Sequence, residues 1–306
     1  MPTTPERWPD FLQIGAAKAG TTALFHAICR HPRVYQPAMK EPRYLCYPDV
    51  EPRLAGPGAD QIARRIISSR AAYLALYAGC TPGALTGDFS NGYLLDKGAP
   101  ITASRLIPGA RLLAMLRHPV ERAYSAYLHE RHAGREACQS FEAAWHDGDR
   151  RMADGWPPSA SYAHGSFYAR HLARWLAHFP REQLLILFYE DWRDRPADVL
   201  AEVWRHLGLD PIDSPVITRE NVSSREPRWP WLHQRIRGKD NPLRRLAQRT
   251  LPLWTRDAVT RSIEALNLRP GPRLDAELRA RLARTYHADL DRLEALTGRD
   301  LTAWRS

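Results

Sequence analysis

A single lysine stands among small residues in Gly15-Ala-Ala-Lys18-Ala-Gly20-Thr21-Thr22. The apolar run Phe11–Gly15 precedes it, and helical spacing follows it from Thr21. Such a turn, from a strand into a helix, aims backbone N–H groups and the positive end of a helix dipole at one point. The chemistry it suits is the holding of a phosphate or a related oxyanion. Lys18 adds a cation, and the hydroxyls of Thr21 and Thr22 add two further donors. The backbone N–H groups of Ala19, Gly20, Thr21 and Thr22 complete the candidate cradle.

A second group, Arg117-His-Pro-Val-Glu-Arg122-Ala-Tyr-Ser125, begins where another apolar run ends. Pro119 sits where a first helical residue belongs, so Ser125 lies nearly two turns into a helix. A guanidinium fork and a hydroxyl then converge on a phosphate dianion. A third group, Lys40-Glu41-Pro42, sets a cation beside a carboxylate that Pro42 restrains toward extended backbone. Glu41 is the candidate general base. Asp88 in Gly87-Asp88-Phe89-Ser90 ends a short predicted strand and is the alternative. His129-Glu-Arg-His132 lacks the HExxH spacing and has no evident third ligand, so no metal site is expected.

The spacing of Gly15 and Gly20 is that of a Walker loop, GxxxxGK[ST], yet Thr21 stands where that loop carries lysine. The strand Leu112–Leu116 also ends in Arg117, not in the acid that would help hold Mg²⁺. A basic strand end suits direct phosphate binding with no required metal.

The elements that must position these groups are legible as apolar runs and helical periods. Strands are predicted at Phe11–Gly15, Val34-Tyr35, Ala84–Asp88, Arg111–Leu116 and Gln183–Tyr189. Helices are predicted at Thr21–Arg30, Ile62–Tyr77, from Pro119, at Phe167–His178, at Ala197–Leu207 and as one long helix over Leu274–Leu296. Trp145–Ser161 is rich in Gly, Pro and Asp and reads as a mobile surface loop. Alternating strands and helices predict an α/β fold, a central mainly parallel sheet flanked by helices in three layers. One domain over 1–306 is expected, with a variable insert at about 229–273 and a C-terminal helix at about 274–297.

Composition bounds the partners. The chain has 306 residues, 44% of them hydrophobic, which is the make-up of a globular protein. No apolar run approaches the roughly 18 residues of a membrane span. No secretory leader is visible at Met1–Asp10. The four cysteines form no CxxC pair, which argues against a disulfide framework or zinc cluster and fits a reducing compartment. A cytoplasmic protein without stable membrane insertion is therefore expected. The net charge of +10 leaves nucleic acid, lipid or an acidic small molecule open as partners. Only four lysines contribute to it, and two of them are Lys18 and Lys40.

Ile14-Gly-Ala-Ala-Lys-Ala-Gly-Thr-Thr22 resembles the 5′-phosphosulfate loop of sulfotransferases that use 3′-phosphoadenosine 5′-phosphosulfate (PAPS). Arg117-His-Pro-Val-Glu-Arg122-Ala-Tyr-Ser125 resembles that family's 3′-phosphate motif, RxPxxRxxS. Lys40-Glu-Pro-Arg-Tyr-Leu45 resembles the KEPxYF segment of the heparan-sulfate type and its bacterial relatives. The segment Gly165–Glu190, Asn221-Val-Ser-Ser-Arg225 and the tail Leu293–Trp304 agree with that group. The resemblance runs from about Phe11 to Trp304 and is weakest at Glu51–Leu76 and Trp229–Arg273.

The resemblance implies a P-loop-like fold and transfer of a sulfuryl group from PAPS to a hydroxyl or amine of a glycan, lipid or small molecule. The product is 3′-phosphoadenosine 5′-phosphate (PAP). It implies Lys18 as the cation at the leaving phosphate, with Lys40 orienting the acceptor or the sulfuryl group. It implies Tyr168 at the adenine, though an aromatic there fits a core equally well. Ser224 and Arg225 follow as 3′-phosphate contacts, with Arg228 competing for the role of Arg225. Tyr44, Tyr93, Trp229 and Trp231 are candidates to line an acceptor site. Two other readings stand beside this one. An ATP-dependent P-loop kinase would need lysine directly after Gly20 and an acidic metal ligand. A non-enzymatic polyanion or nucleic-acid binder would need its basic residues on one stripe. The arginines instead alternate with acids, as in Arg273–Arg299, so no nucleic-acid partner is expected.

Overall fold

The computed structural model describes residues 6–212, 225–227, 268–270 and 272–306. Its centre is β1 (Phe11–Gly15), buried along its whole length. β2 (Val34–Tyr35), β3 (Leu85–Asp88), β4 (Arg111–Leu116) and β5 (Leu184–Phe188) complete one sheet. The order is β2-β3-β1-β4-β5, and every neighbouring pair is parallel. Parallel strands covered on both faces read as continuous apolar runs. Leu112–Leu116 of β4 are buried without exception.

The carboxyl ends of these strands are where the chain turns into helices. α1 (Thr21–Ile28) follows β1, and α5 (Pro119–His132) follows β4. Between them lie α2 (Ala59–Ala63), α3 (Arg70–Ala75) and α4 (Ala99–Leu106). After α5 come α6 (Phe141–His146), α7 (Gly148–Ala153) and α8 (Tyr168–Leu176). α9 (Tyr189–Asp194) and α10 (Pro196–Leu207) follow β5. A separate antiparallel pair joins β6 (Arg225–Pro227) to β7 (Leu268–Pro270). The chain closes with α11 (Ala276–Ala283) and α12 (His287–Thr297). The sequence order runs to one side of β1 and then to the other. The carboxyl ends of β1 and β4 thus meet at a switch point, where open α/β sheets bind ligands.

The register tightens this junction. Gln13 pairs with Leu113 and Gly15 with Ala114, so Ile14 is an extra residue in β1. Ala16 N then donates to Met115 O at 2.7 Å. A bulge of this kind re-aims the end of a strand, here just before the glycine loop.

Three predicted elements differ in the structure. Ile62–Tyr77 is not one helix, because Ser69 caps α3 and separates it from α2. Ile67 N bonds instead to Pro42 O at 2.9 Å, which ties this break to the Lys40-Glu41-Pro42 segment. Trp145–Ser161 is not a loop. It carries the end of α6, all of α7 and a 3₁₀ turn at Pro158–Ala160. Arg151 within it is 2% exposed and bonds Glu136 at 2.6 Å and Asp147 at 2.8 Å. Leu274–Leu296 is divided by a 3₁₀ turn at Arg284–Tyr286. The predicted insert at about 229–273 lies outside the described residues, apart from 268–270 and 272–273. Among the described residues no helix is long and apolar enough to cross a membrane. All four cysteines are free thiols.

Candidate active site

The glycine loop leaves β1 through Gly15 and enters α1 at Gly20. A side-chain Cβ at Gly15 would lie 2.8 Å from Leu94 Cβ and 3.1 Å from Asn91 O, so only glycine fits there. Gly20 is the N-cap of α1 at φ 88°, a left-handed conformation, and no side chain caps this helix. The first N–H groups of α1 are thus left to another acceptor. Lys18 is also left-handed, at φ 72°. Burial pushes its ammonium down to about 8. Arg117 and Lys40 reinforce the shift, and Glu130 and Glu41 oppose it.

Arg117 reaches this loop from the end of β4. Its Nη1 donates to Lys18 O at 3.4 Å, bridging residues 99 positions apart in sequence. Its Nη2 lies 3.4 Å from Glu121 Oε2, and Glu121 Oε1 also takes Arg279 Nε at 3.2 Å. The guanidinium lies 4.9 Å from the centre of the Tyr189 ring. The same ring would meet a Cβ at Gly20, 2.8 Å from Tyr189 Cδ2. Tyr189 therefore sits under both the loop and the arginine. Two turns into α5, Ser125 is 5% exposed, and its Oγ has no hydrogen-bond partner. A buried hydroxyl in that condition is an unused donor.

The other residues of the RxPxxRxxS motif are structural. Arg122 is 4% exposed, donating from Nε to Ser166 Oγ and from Nη2 to Tyr162 O, both at 2.6 Å. His118 caps α5 by accepting from Glu121 N. Burial pushes the His118 imidazole down to about 4, so it caps the helix as a neutral ring.

The Lys40-Glu41 segment comes to the same place. Lys40 Nζ donates to Thr22 Oγ1 at 2.9 Å and lies 3.7 Å from Glu41 Oε1. Burial also lowers Lys40. Glu41 is partly exposed. Its Oε1 accepts from Asn91 Nδ2 at 2.8 Å and its Oε2 from Arg43 Nη2 at 3.1 Å. Three cations, Lys18, Lys40 and Arg117, thus meet at this end of the sheet, with the partly exposed Glu41 carboxylate beside Lys40.

Asp88 does not share that position. It is fully buried, with Oδ1 accepting from Ser90 N and Oγ and Oδ2 accepting from Tyr73 and Tyr93 hydroxyls at 2.8 and 2.6 Å. Burial pushes it up to about 6 despite these donors. An enclosed carboxylate with every lone-pair direction occupied cannot reach an acceptor. Its role is to hold Ser90, whose Oγ takes Arg43 N at 2.9 Å and so fixes the turn after Glu41.

Tyr168 is fully buried, and its hydroxyl donates to Arg117 O at 2.8 Å. It braces the strand end from the core and offers no face to an adenine. Tyr44 and Tyr93 are core residues too, at 1% and 0% exposure, so they line no acceptor site. Tyr44 stacks on Tyr73 at 4.5 Å. Ser224, Arg228, Trp229 and Trp231 lie outside the described residues, and Arg225 is described only as backbone of β6. Two members of the cluster went unnoticed in the sequence. Gln13 interrupts an apolar strand, and Asn91 sits three residues past Asp88, with no local pattern marking either one.

A family model described as "Sulfotransferase domain" matches residues 99–231, a span that holds Arg117 and Ser125. The human bifunctional heparan sulfate N-deacetylase/N-sulfotransferase 3 is 32% identical over 214 residues, 68% of this chain. The mouse bifunctional heparan sulfate N-deacetylase/N-sulfotransferase 4 is 30% identical over 225 residues. The chain spans 23% of the length of each of these relatives. A crystal structure of a sulfotransferase from Alicyclobacillus acidocaldarius superposes with a TM-score of 0.76 at 27% identity. That match covers 98% of this chain and 100% of the other.

Proposed function

This chain belongs to the sulfotransferase family, and from that premise we propose that it transfers a sulfuryl group from PAPS to an amine or hydroxyl of a glycan. The observation that carries the proposal is the meeting of Arg117 with the Lys18 loop at the ends of β4 and β1. It sets two basic groups side by side, an arrangement that suits a nucleotide with phosphates on both sides of its ribose.

The residues fit such a donor. The uncapped start of α1, Lys18 and the Thr22 hydroxyl suit its 5′-phosphosulfate. Arg117 and the unpartnered Ser125 hydroxyl suit its 3′-phosphate. PAPS supplies the sulfuryl group and leaves as PAP. Glu41 takes the proton from the acceptor as the new N–S or O–S bond forms and the bond from sulfur to the 5′-phosphate oxygen breaks. Lys18 neutralises the charge that builds on that oxygen. Lys40, bonded to Thr22, holds the reacting group between loop and base. A glycan acceptor is supported by the similarity to the heparan sulfate N-deacetylase/N-sulfotransferases and by the cations of the cradle.

The test is sulfur-35 transfer from labelled PAPS to de-N-sulfated heparan sulfate, with PAP affinity measured in parallel. Glu41→Gln should lower turnover by about 100-fold or more, the usual scale for a lost general base, and leave PAP affinity within about twofold. Near-normal turnover in Glu41→Gln would remove Glu41 from the base role.

A further inference from the structure

Gln13 is fully buried in the middle of the central strand. A primary amide there is costly unless it is bonded. Its Nε2 donates to Thr21 O at 3.2 Å and to Asn91 Oδ1 at 3.0 Å. Asn91 is 3% exposed, and its Nδ2 donates to Glu41 Oε1 at 2.8 Å. The direction of this relay follows from chemistry. A carboxylate only accepts, so Asn91 must turn its NH₂ to Glu41 and its carbonyl oxygen to Gln13. The relay therefore joins the first residue of α1, through β1 and the loop after β3, to the carboxylate at the acceptor side.

We infer that Asn91, backed by Gln13, is a positioning residue that fixes the Glu41 carboxylate relative to the phosphate loop. The inference rests on the reading of Glu41 as base. The other partners of Glu41 do not supply this constraint. Arg43 is a partly exposed side chain on the same turn, and Lys40 stands 3.7 Å away. Arg43 bonds Glu41 Oε2 from a long, partly exposed side chain, and Lys40 directs its hydrogen bond to Thr22 Oγ1. Asn91 is short, buried and pinned at its far end, so it alone sets both the distance and the plane of the carboxylate. A base misplaced by about 1 Å loses on the order of 100-fold in rate.

Asn91→Asp is isosteric, keeps an acceptor toward Gln13 and removes the donor to Glu41. Asn91→Ala removes the donor to Glu41, and with it the acceptor toward Gln13, without adding charge and serves where the aspartate variant does not fold. Each is measured alone and combined with Glu41→Gln, using labelled PAPS and de-N-sulfated heparan sulfate for turnover and calorimetry for PAP affinity. The expected result is a fall in kcat of about 10- to 100-fold, with PAP affinity changed by less than about twofold. In the Glu41→Gln background the same substitution should change kcat by less than about twofold, because a residue that acts through another loses its effect once that residue is gone. If the two effects multiply, or if PAP affinity falls along with kcat, Asn91 is merely structural and the inference is overturned while Glu41 stays the base. If Glu41→Gln alone retains its turnover, the base assignment and the inference fall together.

Discussion

Lys18 sits in an unusual electrostatic position for a lysine. Burial, Arg117 and Lys40 bring it down to about 8, within reach of ordinary assay conditions. A phosphosulfate or phosphate wants the ammonium form. Below pH 8 the free protein already carries that charge. Above it, binding must take up a proton, so PAP affinity should fall with rising pH, approaching tenfold per unit by pH 9. Calorimetry between pH 7.5 and 9 checks this, and Lys18→Ala should flatten the slope. Ser125 gives a prediction of a different sign. Its buried hydroxyl bonds nothing, so Ser125→Ala should leave thermal stability unchanged or slightly raised. The same variant should weaken PAP binding by about 1.5–3 kcal/mol, roughly 10- to 150-fold, since a bond to a charged phosphate is lost. These residues were legible because each is a polar group of one type in a setting of small or apolar neighbours. Gln13 and Asn91 were not, since their meaning lies in a bond spanning 78 positions.

Elements place these groups through backbone conformations that side chains cannot improvise. Gly20 must be left-handed to start α1, and its missing Cβ leaves room for the Tyr189 ring. Gly20→Ala should cost about 1–2 kcal/mol for the conformation alone. It should also push Tyr189 away from Arg117 and weaken PAP binding by about tenfold or more. Gly83 is the control. It is left-handed at φ 82° with nothing within 4 Å of a Cβ, so Gly83→Ala should lower the melting temperature and spare PAP affinity. Strands and most helices could be read from apolar period because burial follows it directly. The breaks could not. Ser69 ends one predicted helix by capping the next. Arg151, buried against Glu136 from outside its own segment, sits in a stretch whose composition looks solvent-exposed.

At the scale of the molecule, the strand order decides which residues meet, and that order is written in no single segment. Placing β1 between β3 and β4 brings Lys18, Arg117 and Asn91 to one end of the sheet. The positive charge of the chain takes on meaning only here. Several arginines are matched by carboxylates, as in Arg135–Glu130, Arg305–Glu294 and Arg299–Asp191. Lys18, Lys40 and Arg117 come together at one end of the sheet beside the uncapped start of α1, which favours a small phosphorylated ligand over a polymer as the partner of this end of the fold. The most direct measurement is calorimetric titration of the protein with PAP, adenosine 5′-phosphate and ATP, all in EDTA. PAP should bind without metal, removal of its 3′-phosphate should weaken binding by about tenfold or more, and ATP should bind far more weakly than PAP. Binding of ATP with no detectable binding of PAP would contradict the assignment.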